Sequence, residues 1–169
     1  MENIKQLYLI GMMGSGKSST GKALSSSLGW EFIDIDNEIS NTHNLTINEL
    51  FSKGEQYFRD IEYTELRKHI LKENIIVAVG GGAVTYKESF NLLSSKNCLY
   101  LKTSKNILLN RLKDDDTRPL LNVKNKEEVL DKIMHQREQK YLTLCNYEMI
   151  TDNMSIQENC NKIMEMINV

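Results

Sequence analysis

The chain has 169 residues, 40% of them hydrophobic and 26% charged, which fits one soluble globular domain with room for a substantial core. A formal net charge of −2 argues against a dedicated nucleic-acid binder, and no apolar run approaches membrane-spanning length. Cys98, Cys145 and Cys160 are widely spaced and form no C-x-x-C, so they fit reduced thiols in a cytoplasmic protein better than a disulfide framework or a zinc site.

Residues 1–6 carry no secretory signal pattern. Apolar, strand-like runs then alternate with helical stretches, the pattern of βαβ units and a parallel sheet. Strands are predicted at 5–10, 31–35, 75–79, 97–102 and 146–151. Helices are predicted at 17–28, 37–43, 46–52, 56–73, 86–95, 104–113, 125–144 and 155–167. In such sheets ligands gather beyond the carboxyl ends of the strands, so the residues just past each strand are the informative ones.

The first strand runs into Gly11-Met12-Met13-Gly14-Ser15-Gly16-Lys17-Ser18, which fits G-x-x-x-x-G-K-[ST] at every fixed position. A strand precedes it and a helix comes after, as a phosphate-cradling loop requires: its amides and the helix N-terminus favour anionic oxygens. In that motif Lys17 reaches the β- and γ-phosphates of a nucleotide and Ser18 offers its hydroxyl to Mg²⁺.

The second strand ends in Phe32-Ile33-Asp34-Ile35-Asp36. Strand alternation would set Asp34 and Asp36 on one face, where two close carboxylates call for a cation or a shared proton. The alternative is that Asp36 merely caps the next helix. In Phe58-Arg59-Asp60-Ile61-Glu62, helical spacing puts Glu62 one turn beyond Arg59, which by itself describes a solvated arginine with a helix salt bridge.

The third strand is apolar throughout and leads into Gly80-Gly81-Gly82-Ala83. Consecutive glycines there either make a permissive turn or let something approach the backbone closely. After the fourth strand, the segment 113–122 is polar, charged and broken by Pro119, the sole proline. It reads as a mobile surface segment whose arginine, Arg118, either swings over a bound nucleotide or lies in a plain exposed loop.

In the helix beyond it, Leu130, Ile133, Met134, Arg137 and Tyr141 share one stripe. Arg137 on an apolar face either meets a structural carboxylate or faces a cleft that receives an anion. The last helix places Ile156, Cys160, Ile163, Met164 and Ile167 on one core-packing face. His43, His69 and His135 show no metal-ligand spacing and are expected to be surface or satisfied residues.

Together these segments resemble the shikimate kinases. The phosphate loop, Asp34-x-Asp36, Gly54-Glu55-x-x-Phe58-Arg59-x-x-Glu62, Gly80-Gly81-Gly82-Ala83, Arg118-Pro119-Leu120-Leu121 and Arg137-x-x-x-Tyr141 match that family's pattern in order over nearly the whole chain. The resemblance implies a single α/β domain over 1–169, a three-layer P-loop kinase fold like that of the nucleoside monophosphate kinases. Its sheet would be a five-stranded parallel one of order 2-3-1-4-5, with a substrate-binding region at about 37–62 and a mobile lid at about 113–124. It implies transfer of the ATP γ-phosphoryl group to the 3-hydroxyl of shikimate, in chorismate and aromatic amino-acid biosynthesis.

By the same resemblance Gly14, Ser15, Gly16, Lys17, Ser18, Ser19 and Arg118 would bind ATP, and Ser18 and Asp34 would hold Mg²⁺. Asp36, Arg59, Gly81, Gly82 and Arg137 would bind shikimate, with Asp36, Lys17 and Arg118 as the catalytic groups. The family pattern also implies a monomer without nucleic-acid or membrane partners. A kinase for another small acid or alcohol, such as gluconate, and a nucleotide-dependent binding module without turnover are the rival readings. The second would be marked by loss of Lys17, Asp36 or a substrate arginine, and none is lost.

Overall fold

The computed structural model describes residues 4–168 apart from 114, 116, 118, 122 and 124. Five strands, β1 (Gln6–Ile10), β2 (Glu31–Asp34), β3 (Ile75–Ala78), β4 (Cys98–Lys102) and β5 (Tyr147–Ile150), form one sheet of order β2-β3-β1-β4-β5. Every pairing is parallel, with Leu7 opposite Ile76, Leu9 opposite Leu99, Ile33 opposite Val77 and Leu101 opposite Met149. The eight helices among the described residues are α1 (Lys17–Leu28), α2 (Ile35–His43), α3 (Ile47–Ser52), α4 (Glu55–Arg67), α5 (Lys87–Leu93), α6 (Lys105–Arg111), α7 (Lys126–Leu144) and α8 (Ile156–Ile167).

Side chains alternate across each strand, and this alternation divides the core into two layers. Leu7, Leu9, Ile76, Leu99, Leu101 and Met149 face α1 and α8, where Leu24, Cys160, Ile163 and Ile167 close the layer. Tyr8, Ile10, Ile33, Ile75, Val77 and Tyr100 face the other side, covered by Ile39, Leu50, Phe58, Leu66, Leu108 and Leu130 from α2, α3, α4, α6 and α7. The central strands are therefore apolar on both faces, as parallel sheets require.

Ile156, expected in the core face of α8, departs from its stripe: it is 48% exposed at the first position of the helix. Cys98 and Cys160 are buried and Cys145 is half-buried, all three as free thiols. No helix among the described residues is long and apolar enough to cross a membrane.

β1 lies at the centre of the sheet. The chain leaves it on one side towards β2 and β3, then crosses to β4 and β5 on the other. That reversal leaves a crevice outside the carboxyl end of β1, where the phosphate loop begins.

Candidate active site

The loop between β1 and α1 takes its shape from its glycines. Gly14 and Gly16 have φ of 78° and 91°, in the left-handed region that side chains disfavour. Gly16 stands directly before α1, so the amides of the loop and the first turn converge on one hollow. Lys17 folds back over it, its Nζ donating to the carbonyls of Gly11 at 2.8 Å and Met12 at 2.9 Å. Ser15 is buried, and its hydroxyl makes no hydrogen bond. These groups open onto a cleft of about 450 Å³ that Gly14 through Ser19 line together with Asp34, Asp36, Gly80 and Gly81.

Asp34 and Asp36 do not share a strand face. β2 stops at Asp34, and α2 starts one residue later, so Asp36 lies in the first turn of the helix. The capping role belongs to Asp34, whose Oδ1 accepts from the amide of Asn37 at 3.2 Å. Its Oδ2 accepts from the Ser18 hydroxyl at 2.5 Å. Asp34 thus links the end of β2 to the start of α1 and stands beside the residue the motif assigns to Mg²⁺. The Asp36 carboxylate projects elsewhere, towards Gly80; a Cβ placed there would lie 3.2 Å from its Oδ1.

A second, smaller pocket of about 60 Å³ adjoins the first. Arg59, Glu62, Arg137 and the three glycines line it, with Pro119 and Leu120 on its rim. Asp36, Met13, Gly80 and Gly81 border both cavities.

Arg59 is not solvated. It is buried against α4, and its Nη1 donates to Glu62 at 2.7 Å while Nη2 reaches Glu55 at 3.2 Å. The rings of Phe58 and Phe51 flank the guanidinium, with centroids 5.3 Å and 5.8 Å away. Burial works against its charge, but Glu62 and then Glu55 outweigh that and hold it firmly cationic. Burial pushes the Glu62 carboxyl up to about 7; Arg59 opposes the shift and Asp36 adds to it. One oxygen of Glu62 is buried without a hydrogen bond.

The glycine triplet is where these charges meet the backbone. A side chain at Gly80 would overlap the Glu62 carboxylate, and one at Gly82 would overlap the Arg59 guanidinium. At Gly81 a Cβ would crowd the phosphate loop, 3.2 Å from the Gly11 carbonyl and 3.3 Å from the Met13 amide, with Arg137 Nη1 at 3.7 Å. Close approach, not merely a flexible turn, is what the three positions serve. The Gly81 peptide is fixed from the other side, because the Tyr141 hydroxyl donates to its carbonyl at 2.6 Å. Tyr141 is itself held by stacking on Tyr100, the ring centroids 5.0 Å apart.

Arg137 is buried on the inward stripe of α7, one turn before Tyr141. Of the alternatives that periodicity left open, the cleft is the one observed: its guanidinium borders the small pocket. Arg118 lies outside the described residues. Its neighbours Pro119–Leu121 form a short 3-10 turn with Leu121 buried in the core, so this part of the expected surface segment packs onto the domain.

Sequence reasoning missed several contributors to the nucleotide-side cleft, among them Arg111, Met154, Ile156 and Asn159. Arg111 at the end of α6 donates from Nη1 to the Gly14 carbonyl at 3.0 Å and holds the loop from outside. Asn159 lines the cleft with a buried, unpartnered side-chain oxygen, next to Ile156. The signal for Asn159 was a polar residue beside the apolar stripe of α8; Arg111 gave none beyond its place in the last turn of a short helix.

Fold and cleft define a P-loop phosphotransferase that joins a nucleotide cleft to a small pocket lined by arginines. A family model described as shikimate kinase matches residues 13–168. The shikimate kinase of Thermodesulfovibrio yellowstonii is 35% identical over 164 residues, covering 96% of this chain and 94% of its own. That of Buchnera aphidicola subsp. Schizaphis graminum is 35% identical, covering 99% and 98%. The solved structure of shikimate kinase from Acinetobacter baumannii in complex with shikimate superposes with a TM-score of 0.95 at 32% identity, over 99% of this chain and 94% of that one. The chain belongs to the shikimate kinase family.

Proposed function

We propose that this protein transfers the γ-phosphoryl group of ATP to the 3-hydroxyl of shikimate, giving shikimate 3-phosphate and ADP. The observation that carries the reading is the position of Asp36, whose carboxylate borders both the phosphate-loop cleft and the arginine pocket. An acceptor hydroxyl at that junction faces the end of a nucleotide's phosphate chain on one side and has its own binding pocket on the other. Family membership supplies the substrate pair.

Phosphoryl transfer asks the protein mainly for alignment and charge stabilisation. Gly14, Ser15, Gly16, Ser18 and Ser19 cradle the phosphates of ATP, and Lys17 leaves the carbonyls of Gly11 and Met12 to meet the β- and γ-oxygens. Arg59 and Arg137 bind the shikimate carboxylate with charge-assisted hydrogen bonds. Gly81 and Gly82 let the ring approach the backbone, and the Gly81 amide binds a ring hydroxyl. Asp36 accepts a hydrogen bond from the 3-hydroxyl and takes its proton, or orients it, as the new P–O bond forms and the bond to ADP breaks.

Ser18 and Asp34 supply a hydroxyl and a carboxylate side by side, an all-oxygen donor set that suits Mg²⁺. When bound, that ion would neutralise charge on the β- and γ-phosphates. Helices α2 and α3 with the start of α4, about 37–62, form the substrate-binding region, and 113–124 the lid. Arg118 comes from that lid onto ATP, where closure keeps water from the γ-phosphate. A monomer in the cytoplasm is the assembly we propose. In support of the monomer, the large exposed apolar side chains Tyr57, Leu71, Leu142, Ile150 and Ile156 are spread over α4, the turn after it, α7, β5 and α8.

The test is ADP release from Mg-ATP with and without shikimate, with gluconate as a second acceptor. Shikimate-dependent release supports the reading. ATP binding without shikimate-dependent release would overturn it, and release driven by gluconate alone would move the substrate to another hydroxy acid.

A further inference from the structure

We infer that Glu38, Glu65 and His69 form a binding site for a divalent transition-metal ion of the Zn²⁺ type, between α2 and the C-terminal end of α4 and outside the lining of the catalytic clefts. Each of the three offers one ligand atom, and these atoms all lie within 4.8 Å of one another. None of the three lines the nucleotide cleft or the arginine pocket. The site is therefore separate from Ser18 and Asp34, and it does not depend on the proposed reaction.

His69 is the independent observation. Its sequence context marks it as a surface or satisfied residue, yet it is only 6% exposed and neither ring nitrogen makes a hydrogen bond. A buried imidazole normally has a partner for at least one nitrogen. Glu65, one helical turn earlier, is also buried, and its Oε1 lies 3.5 Å from His69 Nε2. That separation is long for a hydrogen bond. It is close to the ~3.3 Å between two ligands of a tetrahedral ion bound at about 2.0–2.1 Å.

The other oxygen of Glu65 pairs with Lys68 at 2.5 Å, so the lysine supports the carboxylate and leaves Oε1 turned towards the imidazole. Glu38, half-buried on α2, supplies the third ligand and an approach from solvent. Water completes the set. One imidazole with two carboxylates selects a transition metal over Mg²⁺, which favours oxygen ligands alone. The bound ion would tie α2, which carries Asp36, to the chain just beyond α4, which carries Arg59.

The test uses the full chain after chelation and dialysis, with Co²⁺ as a spectroscopic probe and Zn²⁺ as a stabilising ligand. One equivalent of Co²⁺ should give visible d–d absorption of low-symmetry, four-coordinate type. Zn²⁺ at a hundredfold excess over its Kd should raise Tm by about 5–10 °C, with Mg²⁺ unable to displace the cobalt. Glu38→Gln, at a half-exposed position that leaves the core intact, and His69→Gln should each abolish the band. His135→Gln should keep it, although His135 lies 3.6 Å from Asp131 and is the obvious adventitious site. Absence of the band, its persistence in either ligand variant, or a near-ultraviolet thiolate charge-transfer band would overturn the assignment. The last would place the ion on a cysteine.

Discussion

Glu62→Gln isolates the cost of keeping a carboxylate inside the arginine pocket. Burial raises the folded-state pKa of Glu62 from 4.5 to about 7. A raised folded pKa means that the folded protein holds the proton more tightly than the unfolded chain. The contribution to stability is therefore full below about pH 4.5 and is lost as pH rises to about 7. At 1.36 kcal/mol per pKa unit, a shift of roughly 2.5 units amounts to about 3 kcal/mol. Glutamine has the same shape, can still accept from Arg59 Nη1, and does not titrate. The stability of the variant minus that of the native protein should then climb by about 3 kcal/mol between pH 4.5 and 7.5, and stay flat above. Urea unfolding at half-unit pH steps measures it, and the subtraction cancels every other titrating group that the substitution leaves alone. Parallel curves across that window would refute the reasoning, because they would mean that Glu62 ionises in the fold as easily as in the unfolded chain.

The remaining predictions concern the two pockets. Arg137→Ala removes charge-assisted hydrogen bonds worth about 1.5–3 kcal/mol, so KM for shikimate should rise ~10- to 150-fold with KM for ATP nearly unchanged; equal losses in steady-state kinetics would deny it the carboxylate. Asp36→Asn should lower kcat ~10²- to 10⁴-fold in a protein whose circular dichroism is native, and near-native turnover would remove Asp36 from the chemistry. Gly82→Ala puts a methyl group against the Arg59 guanidinium, 2.5 Å from Cζ and 2.7 Å from Nη1, so the arginine must move by about 1 Å. KM for shikimate should rise ~10²-fold and Tm should fall, whereas an unchanged KM would show that Arg59 does not read the substrate.

The fold was almost fully legible. Strand and helix periods mark every element, although the helix expected at 56–73 stops at Arg67 and gives way to a turn, and the sheet order came with the family resemblance of the segments. The errors lie where local geometry depends on one residue of offset. Strand alternation was the wrong ruler for Asp36, because β2 ends at Asp34 and the helical period takes over before Asp36 is reached. Arg59 and Glu62 showed as a helix pair, but only the packing of α4 against the glycine triplet says that the pair is buried. The anomaly at Arg137 was visible because a charge on an apolar stripe needs a reason, and the reason proved to be a cavity. His69 offered no such contrast: its i,i+4 relation to Glu65 lies within one helical stretch, but Glu38 joins them only through the contact of α2 with α4.

The glycine triplet connects these observations. A kinase for a small hydroxy acid must gather several like charges around its acceptor, the two arginines on one side and Asp36 and Glu62 on the other, in a space with little water to screen them. Such groups repel unless each lies against an opposite charge or a backbone dipole. Gly80 admits the Glu62 carboxylate, Gly82 admits the Arg59 guanidinium, and Gly81 brings the phosphate loop close to Arg137. The pair that results, Arg59 with Glu62, is neutral as a unit while Glu62 is ionised, until an incoming carboxylate competes for the same guanidinium. Binding of an acid would then shift charge onto the already strained Glu62 carboxyl and favour its protonated form. KM for shikimate should for that reason worsen as pH rises through about 7 in the native enzyme and lose this dependence in Glu62→Gln. A slope that persists in the variant would assign the titration to another group and leave Glu62 a purely structural partner of Arg59.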